Sequence, residues 1–205
     1  IGPNGAGKST FVGMLCGRIP VSAGRIMSDG KDVTALPAHK RIRQGIAYTF
    51  QITSIYGRLS LQDNVRLATS WRWGNDEQAI QNTIEESLEK VGLADRMDQM
   101  AGDLSYGHQR LLEIAMGISQ HPQLLILDEP TQGLADSEIA GFVKLIRKLG
   151  GDMTILLIEH NMNVVMDTAD QITVLNLGKV LATGTPADIR ANREVQIAYL
   201  GETHA

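Results

Sequence analysis

The first ten residues, IGPNGAGKST, hold the densest chemistry in the chain. Gly2, four further residues, then Gly7, Lys8 and Ser9 fit the pattern GxxxxGK[ST]. Glycines there permit the backbone angles and close approach by which N–H groups curl round phosphate oxygens. In such a loop Lys8 brings a mobile charge to β- and γ-phosphates, and Ser9 offers a hydroxyl to Mg2+. A helix opening near Gly7 would aim its positive end at the anion. The plain alternative is a glycine-rich turn ahead of a helix.

A second group of chemical residues ends an apolar run. Residues 124–127 read LLIL and are followed by Asp128, Glu129 and Pro130. The run predicts a buried parallel strand with two carboxylates at its C-terminal end, the edge where open α/β sheets bind ligands. Asp128 is placed to hold Mg2+, directly or through water. Glu129 could orient or deprotonate an attacking water. A second apolar run, MTILLI, ends in Glu159 and His160, which brings a histidine to the same edge as a candidate for touching a γ-phosphate. Two further candidates are weaker. Ser105 and Gly107, in LSYGHQ, precede a helical stripe and make either an anion site or a simple N-cap. Gln51 ends the strand-like IAYTFQ and, taken alone, reads as a surface amide.

The elements that must position these groups follow from periodicity and punctuation. Alternating runs flank Asp29-Gly30, a hairpin signal. Pro37 opens a short helix that Gly45 stops, and its basic residues 40–43 read as a solvated face. Ser60 is expected to cap a helix with Leu61, Val65 and Ala68 on one face. A second helix over 76–91 carries Ala79, Ile80, Thr83, Ile84, Ser87, Leu88 and Val91 at helical spacing, ended by Gly92. Trp71 and Trp73 are expected to pack rather than to stack on bases. Leu111, Leu112, Ala115 and Ile118 form the stripe after LSYGHQ, and residues 137–149 form a helix ended by Gly150-Gly151. ITVLNLGKVLATG predicts two strands round a turn at 176–179. Thr185, Pro186 and Asp188 then start a helix as N-cap, first residue and third residue.

The bulk properties are those of a globular domain. The chain has 205 residues, 43% hydrophobic and 20% charged, enough to bury a core. No apolar run approaches the roughly 18 residues of a membrane span. The formal charge of −4 speaks against a nucleic-acid partner. One cysteine, Cys16, excludes an internal disulfide and fits a reducing compartment. The phosphate loop should follow a buried strand, for which only Ile1 is present. The chain is therefore expected to be N-terminally truncated, by about 25–40 residues.

With these pieces in order, the chain resembles the ATP-binding subunits of ABC transporters over essentially its whole length. GPNGAGKST looks like Walker A, Phe50-Gln51 the Q-loop, and LSYGHQ the signature LSGGQ. ILDEP resembles Walker B with its glutamate, Gly133-Leu134-Ala135-Asp136 the D-loop, and Glu159-His160 the switch histidine. Within the family, LSYG, IEHNM and GTPADIRANREVQIAYLGE resemble ATPases of branched-chain amino acid importers, with urea and short-chain amide importers close by. The sequence departs from the signature at Tyr106, which replaces a glycine, and at His108, which stands where glutamine is usual.

The resemblance implies a P-loop core over residues 1–53 and 119–205, with a parallel sheet and a small antiparallel part, and an inserted helical subdomain over 54–118. It implies that ATP is held by Gly2, Pro3, Asn4, Gly5, Ala6, Gly7, Lys8, Ser9 and Thr10, with Mg2+ met by Ser9, Gln51 and Asp128, the last through water. Glu129, His160 and Gln51 are the implied catalytic set. Ser105, Gly107 and Asp136 are implied to act in trans, across a head-to-tail pair of ATPase subunits, homomeric or heteromeric. Further implied partners are transmembrane permease subunits and, indirectly, a periplasmic or extracellular solute-binding protein. The implied place is the cytoplasmic face of the cell membrane. Other readings are a urea or amide importer ATPase, a non-transport ABC ATPase, and a nucleotide-binding fragment without turnover. The DNA-maintenance type separates its motif halves by a long coiled coil, which this chain lacks.

Overall fold

The computed structural model describes residues 1–49 and 54–200. The phosphate-loop region contains α1 (Lys8–Leu15), β1 (Met27–Ser28), β2 (Lys31–Asp32) and α2 (Ala38–Arg43). Then follow β3 (Ile46–Thr49), α3 (Leu61–Trp73), α4 (Glu77–Lys90), α5 (Tyr106–Ile118) and β4 (Leu124–Asp128). The chain continues with α6 (Asp136–Leu149), β5 (Thr154–Ile158), α7 (Met162–Thr168), β6 (Ile172–Asn176), β7 (Lys179–Gly184), α8 (Pro186–Ala191) and α9 (Arg193–Leu200). This is the α/β architecture expected from the alternation of apolar runs and helical stripes. Two compact units divide it, residues 1–41 with 157–205 and residues 42–156.

In the first unit, Asp29 and Gly30 have φ of 48° and 72°, and β1 pairs with β2 in the register Ser28↔Lys31. Those angles are what a two-residue hairpin turn with the sheet's own twist requires. Val165, Ile172, Val174, Ile189 and Val195 form the core here, with Ile1 packed against them. Ile1 also pairs along β6: its N–H group donates to the Thr173 carbonyl, and Leu175 N–H donates to the Ile1 carbonyl. Those slanted bonds to residues on either side of Val174 are the pattern of parallel neighbours. Thr185 caps α8 as expected, its hydroxyl accepting from Asp188 N–H while the Asp188 carboxylate accepts from Thr185 N–H.

The basic cluster differs from the sequence reading. Arg41 is 2% exposed, not solvated. Its Nε donates to the Leu36 carbonyl, Nη1 to the carbonyls of Met14 and Leu15, and Nη2 to that of Thr34, all between 2.6 and 2.8 Å. Met14 and Leu15 end α1, so the guanidinium caps the negative end of that helix. Gly17, at φ 73°, leaves the room: a Cβ there would stand 2.9 Å from Arg41 Nε.

The β6–β7 turn carries a strained residue. Leu177 has φ 48° and is 84% exposed, so no packing offsets its left-handed backbone. Leu177→Asn is expected to raise the unfolding free energy by about 0.5–1 kcal/mol, because asparagine tolerates this region. An unchanged or lower midpoint in a urea melt would count against it.

The second unit contains the expected parallel strand. β4 pairs with β3 in parallel, Ile46↔Leu124 through Thr49↔Leu127, within a sheet ordered β3-β4-β5. Leu125, Ile126 and Leu127 are fully buried. Beside it, α3, α4 and α5 pack together. Ser60 caps α3 by accepting from Asp63 N–H, and Asp76 caps α4 by accepting from Ala79 N–H. Ile80, Ile84 and Leu88 of α4, Leu61 and Val65 of α3, and Leu112 and Ala115 of α5 are all buried, and the three helices contact one another. Trp73 packs edge-on to His121 at 5.7 Å between ring centres, while Trp71 stays 39% exposed. Among the described residues, no helix is long and apolar enough to cross a membrane.

Candidate functional site

In the first unit the phosphate loop closes on itself. Gly2, Gly5 and Gly7 all have positive φ, at 154°, 77° and 96°. Gly2 has a second reason to be glycine, since a Cβ would lie 2.2 Å from the Leu175 carbonyl oxygen. Ala6 N–H donates to the Pro3 carbonyl, and Gly178 N–H, from the β6–β7 turn, donates to the Ala6 carbonyl. Lys8 Nζ donates to the carbonyls of Gly2 and Pro3 at 2.7 and 3.0 Å. The ammonium therefore sits in the curl of the loop. Gly7 begins α1 with no side-chain cap, so the first amides of the helix have no side-chain acceptor from it. Amides of that kind suit an anion. Ser9 and Thr10 are exposed on this first turn.

His160 follows β5 and is exposed. Its neighbour Glu159, named beside it in the motif but given no role of its own there, has one in the fold. Glu159 is fully buried, and its Oε2 accepts from the N–H groups of His160 and Asn161 at 3.1 and 3.3 Å. Asn161 in turn caps α7, accepting from Asn163 and Val164 N–H. Glu159 thus fixes the backbone that presents His160. A carboxylate before a histidine in sequence carries no signal of this fold-back.

In the second unit, Asp128 ends β4 and is 4% exposed. Tyr48 Oη, from the adjacent β3, donates to Asp128 Oδ2 at 3.0 Å. The sequence reading missed Tyr48, although a polar residue in a strand beside the carboxylate strand was the available cue. Glu129 has φ 47°, a left-handed backbone in a residue that is not glycine. Such strain persists only where the surroundings hold it, and it concentrates at functional positions. A turn follows, with Gln132 N–H donating to the Glu129 carbonyl and Leu134 N–H to that of Thr131.

Ser105 caps α5: its Oγ accepts from His108 N–H at 3.4 Å and lies 2.9 Å from His108 Nδ1. Gly107 is buried, and a Cβ there would stand 2.3 Å from Glu138 Oε1. Glu138 itself folds back to accept from Ala135 N–H at 2.9 Å, ahead of Asp136, the exposed first residue of α6. The structure therefore gathers Gly2 to Ser9 into one loop, sets Asp128 and Glu129 at one strand end, and puts Ser105 and Gly107 at one helix start. Phe50 and Gln51 lie outside the described residues.

Comparison with known proteins agrees with this geometry. A family model described as ABC transporter matches residues 1–132. A second, branched-chain amino acid ATP-binding cassette transporter, matches residues 179–205. The chain is similar to the high-affinity branched-chain amino acid transport ATP-binding protein BraF of Pseudomonas aeruginosa, at 39% identity over 98% of this chain and 86% of that one. It is also similar to the lipopolysaccharide export system ATP-binding protein LptB of Haemophilus influenzae, at 32% identity over 98% and 84%. Among solved structures, the ADP conformation of an ATP-binding cassette of an ABC transporter matches with a TM-score of 0.86 and 25% identity, over 98% of this chain and 86% of that one. A phosphate loop, a carboxylate-ended parallel strand and relatives of this similarity together mean that the chain belongs to the ABC transporter family, as one of its ATP-hydrolysing subunits.

Proposed function

We propose that this ATPase powers an importer of branched-chain amino acids, acting at the cytoplasmic face of a membrane beside transmembrane permease subunits. A solute-binding protein outside the membrane would deliver the solute. The observation that carries the solute class is the match of residues 179–205 to the branched-chain amino acid transporter model, in the same chain as the 39% identity to BraF. The core is taken as residues 1–53 and 119–205, with 54–118 as the helical subdomain.

Two ATP molecules lie between two ATPase subunits facing head to tail. Gly2, Pro3, Asn4, Gly5, Ala6, Gly7, Lys8, Ser9 and Thr10 hold the phosphates of each. Ser105, Gly107 and Asp136 of the other subunit close on the same nucleotide. Glu129 takes the proton of the attacking water as the bond from the γ-phosphorus to its bridging oxygen breaks. His160 and Gln51 steady the γ-phosphate. Ser9, Asp128 and Gln51 offer oxygen donors, which suit a hard cation, and Tyr48 orients the Asp128 carboxylate among them. When bound, Mg2+ neutralises phosphate charge.

Reconstitution with the membrane subunits tests the solute class. ATP-driven uptake of leucine, isoleucine and valine is the expected result. Uptake of urea or a short-chain amide without amino acid uptake would overturn it.

A further inference from the structure

Tyr106, Arg110 and Glu113 stand three and four residues apart along α5 and so share one face. The side chains of Arg110 and Glu113 are 3% and 5% exposed and bond at 2.8 Å, Nη1 to Oε2. The other oxygen, Glu113 Oε1, accepts the backbone N–H of Ser54. Arg110 Nη2 donates to the Tyr106 hydroxyl at 3.2 Å, and the guanidinium carbon stands 5.5 Å from the ring centre. One edge of that ring lies against Gly133, where a Cβ would come within 3.1 Å of Cε1. Gly133 also has φ 80°, so both space and backbone call for glycine.

These contacts form a continuous line within the second compact unit, from Ser54 through Glu113, Arg110 and Tyr106 to Gly133. One end lies three residues after Gln51, the other four residues after Glu129. Its middle is the helix that begins at Ser105 and Gly107. Burial pushes the Glu113 carboxyl above its ordinary range, while the Ser54 amide and Arg110 pull it back. Desolvation consumes much of the Coulomb attraction in such a pair, so its net stability is small against an apolar pair of equal volume. Its contribution is direction: it holds one backbone amide at one place on α5.

Resting on the functional reading above, we infer that Arg110 and Glu113 are positioning residues, tying Ser54 to the signature helix so that the two shift together when the γ-phosphate is engaged. A nucleotide sensed in one subunit then sets the angle of the signature turn offered to its partner. The intact ATPase assembled with its membrane subunits provides the test. Glu113→Gln keeps an acceptor for Ser54 and removes the charge facing Arg110. ATP affinity and KM are expected to stay within about twofold, with kcat lowered about tenfold. Adding Arg110→Met should lower kcat no further, because residues acting as one unit are not additive.

Unchanged kcat with a lowered Tm would make the pair merely structural and overturn the inference, as would additive losses in the double variant. If Glu113→Gln does not fold, Tyr106→Phe removes a single hydroxyl from a part-exposed ring, and an unchanged kcat there overturns the inference instead. Glu129→Gln in the same assay separates the two levels. Full turnover by that variant sinks the site assignment. Slow turnover by it, with normal turnover by Glu113→Gln, sinks only the tie.

Discussion

Glu129→Gln is expected to bind ATP about as tightly as the parent protein and to hydrolyse it about 10²–10⁴-fold more slowly, the span of a lost general base. The two side chains are nearly isosteric, so the strand end and the turn after it keep their shape. The left-handed backbone, at φ 47°, burdens either residue alike. What changes is the proton acceptor: an amide cannot take the proton of water. With chemistry slowed and binding intact, ATP-bound pairs of subunits should accumulate. Size-exclusion chromatography with ATP and Mg2+, beside a single-turnover assay, reads both effects. Normal turnover with no dimer build-up would remove Glu129 from the role of base.

Lys8→Ala is the second large expectation, with nucleotide affinity falling by at least about 100-fold. The ammonium faces the carbonyls of Gly2 and Pro3 and so lies inside the loop that surrounds the phosphates. Alanine removes the charge and also the two bonds that keep the loop curled. Lys8→Arg should recover little, because a planar guanidinium cannot fill the place of a compact ammonium. Titration calorimetry or a fluorescent nucleotide measures the loss. An unchanged Kd would refute the role.

Much of this molecule was legible in its residues because the signals are local. Asp29-Gly30 dictates a turn through its own backbone preferences, and Ser60, Asp76 and Thr185 reveal helix starts through bonds spanning three residues. The run LLILD announced a buried strand ending in a carboxylate. What escaped depended on distant partners. Arg41 sits in the six-residue helix α2, too short to show which face is buried, and its acceptors lie up to 27 positions away. Arg110 and Glu113 were hidden because charged residues are normally assigned to solvent, and partners such as the amide at Ser54 and the ring of Tyr106 lie far away in the sequence or outside the apolar stripe. Tyr48 meets Asp128 across 80 positions, through strand pairing that sequence does not state.

The Arg41 cap has a mechanical consequence. The phosphate helix α1 is only eight residues long, about 12 Å, less than most helices need to persist alone. Its far end is clamped by a guanidinium that also grips the carbonyls of Thr34 and Leu36. The helix is thus a short cantilever, built into the wall at Met14 and Leu15 and loaded at Lys8 and Ser9. A force applied by phosphate at the loaded end is not dissipated by fraying at the other. Arg41 links that end to the segment after the β1–β2 hairpin, which makes that hairpin's base a place to look for motion when nucleotide arrives.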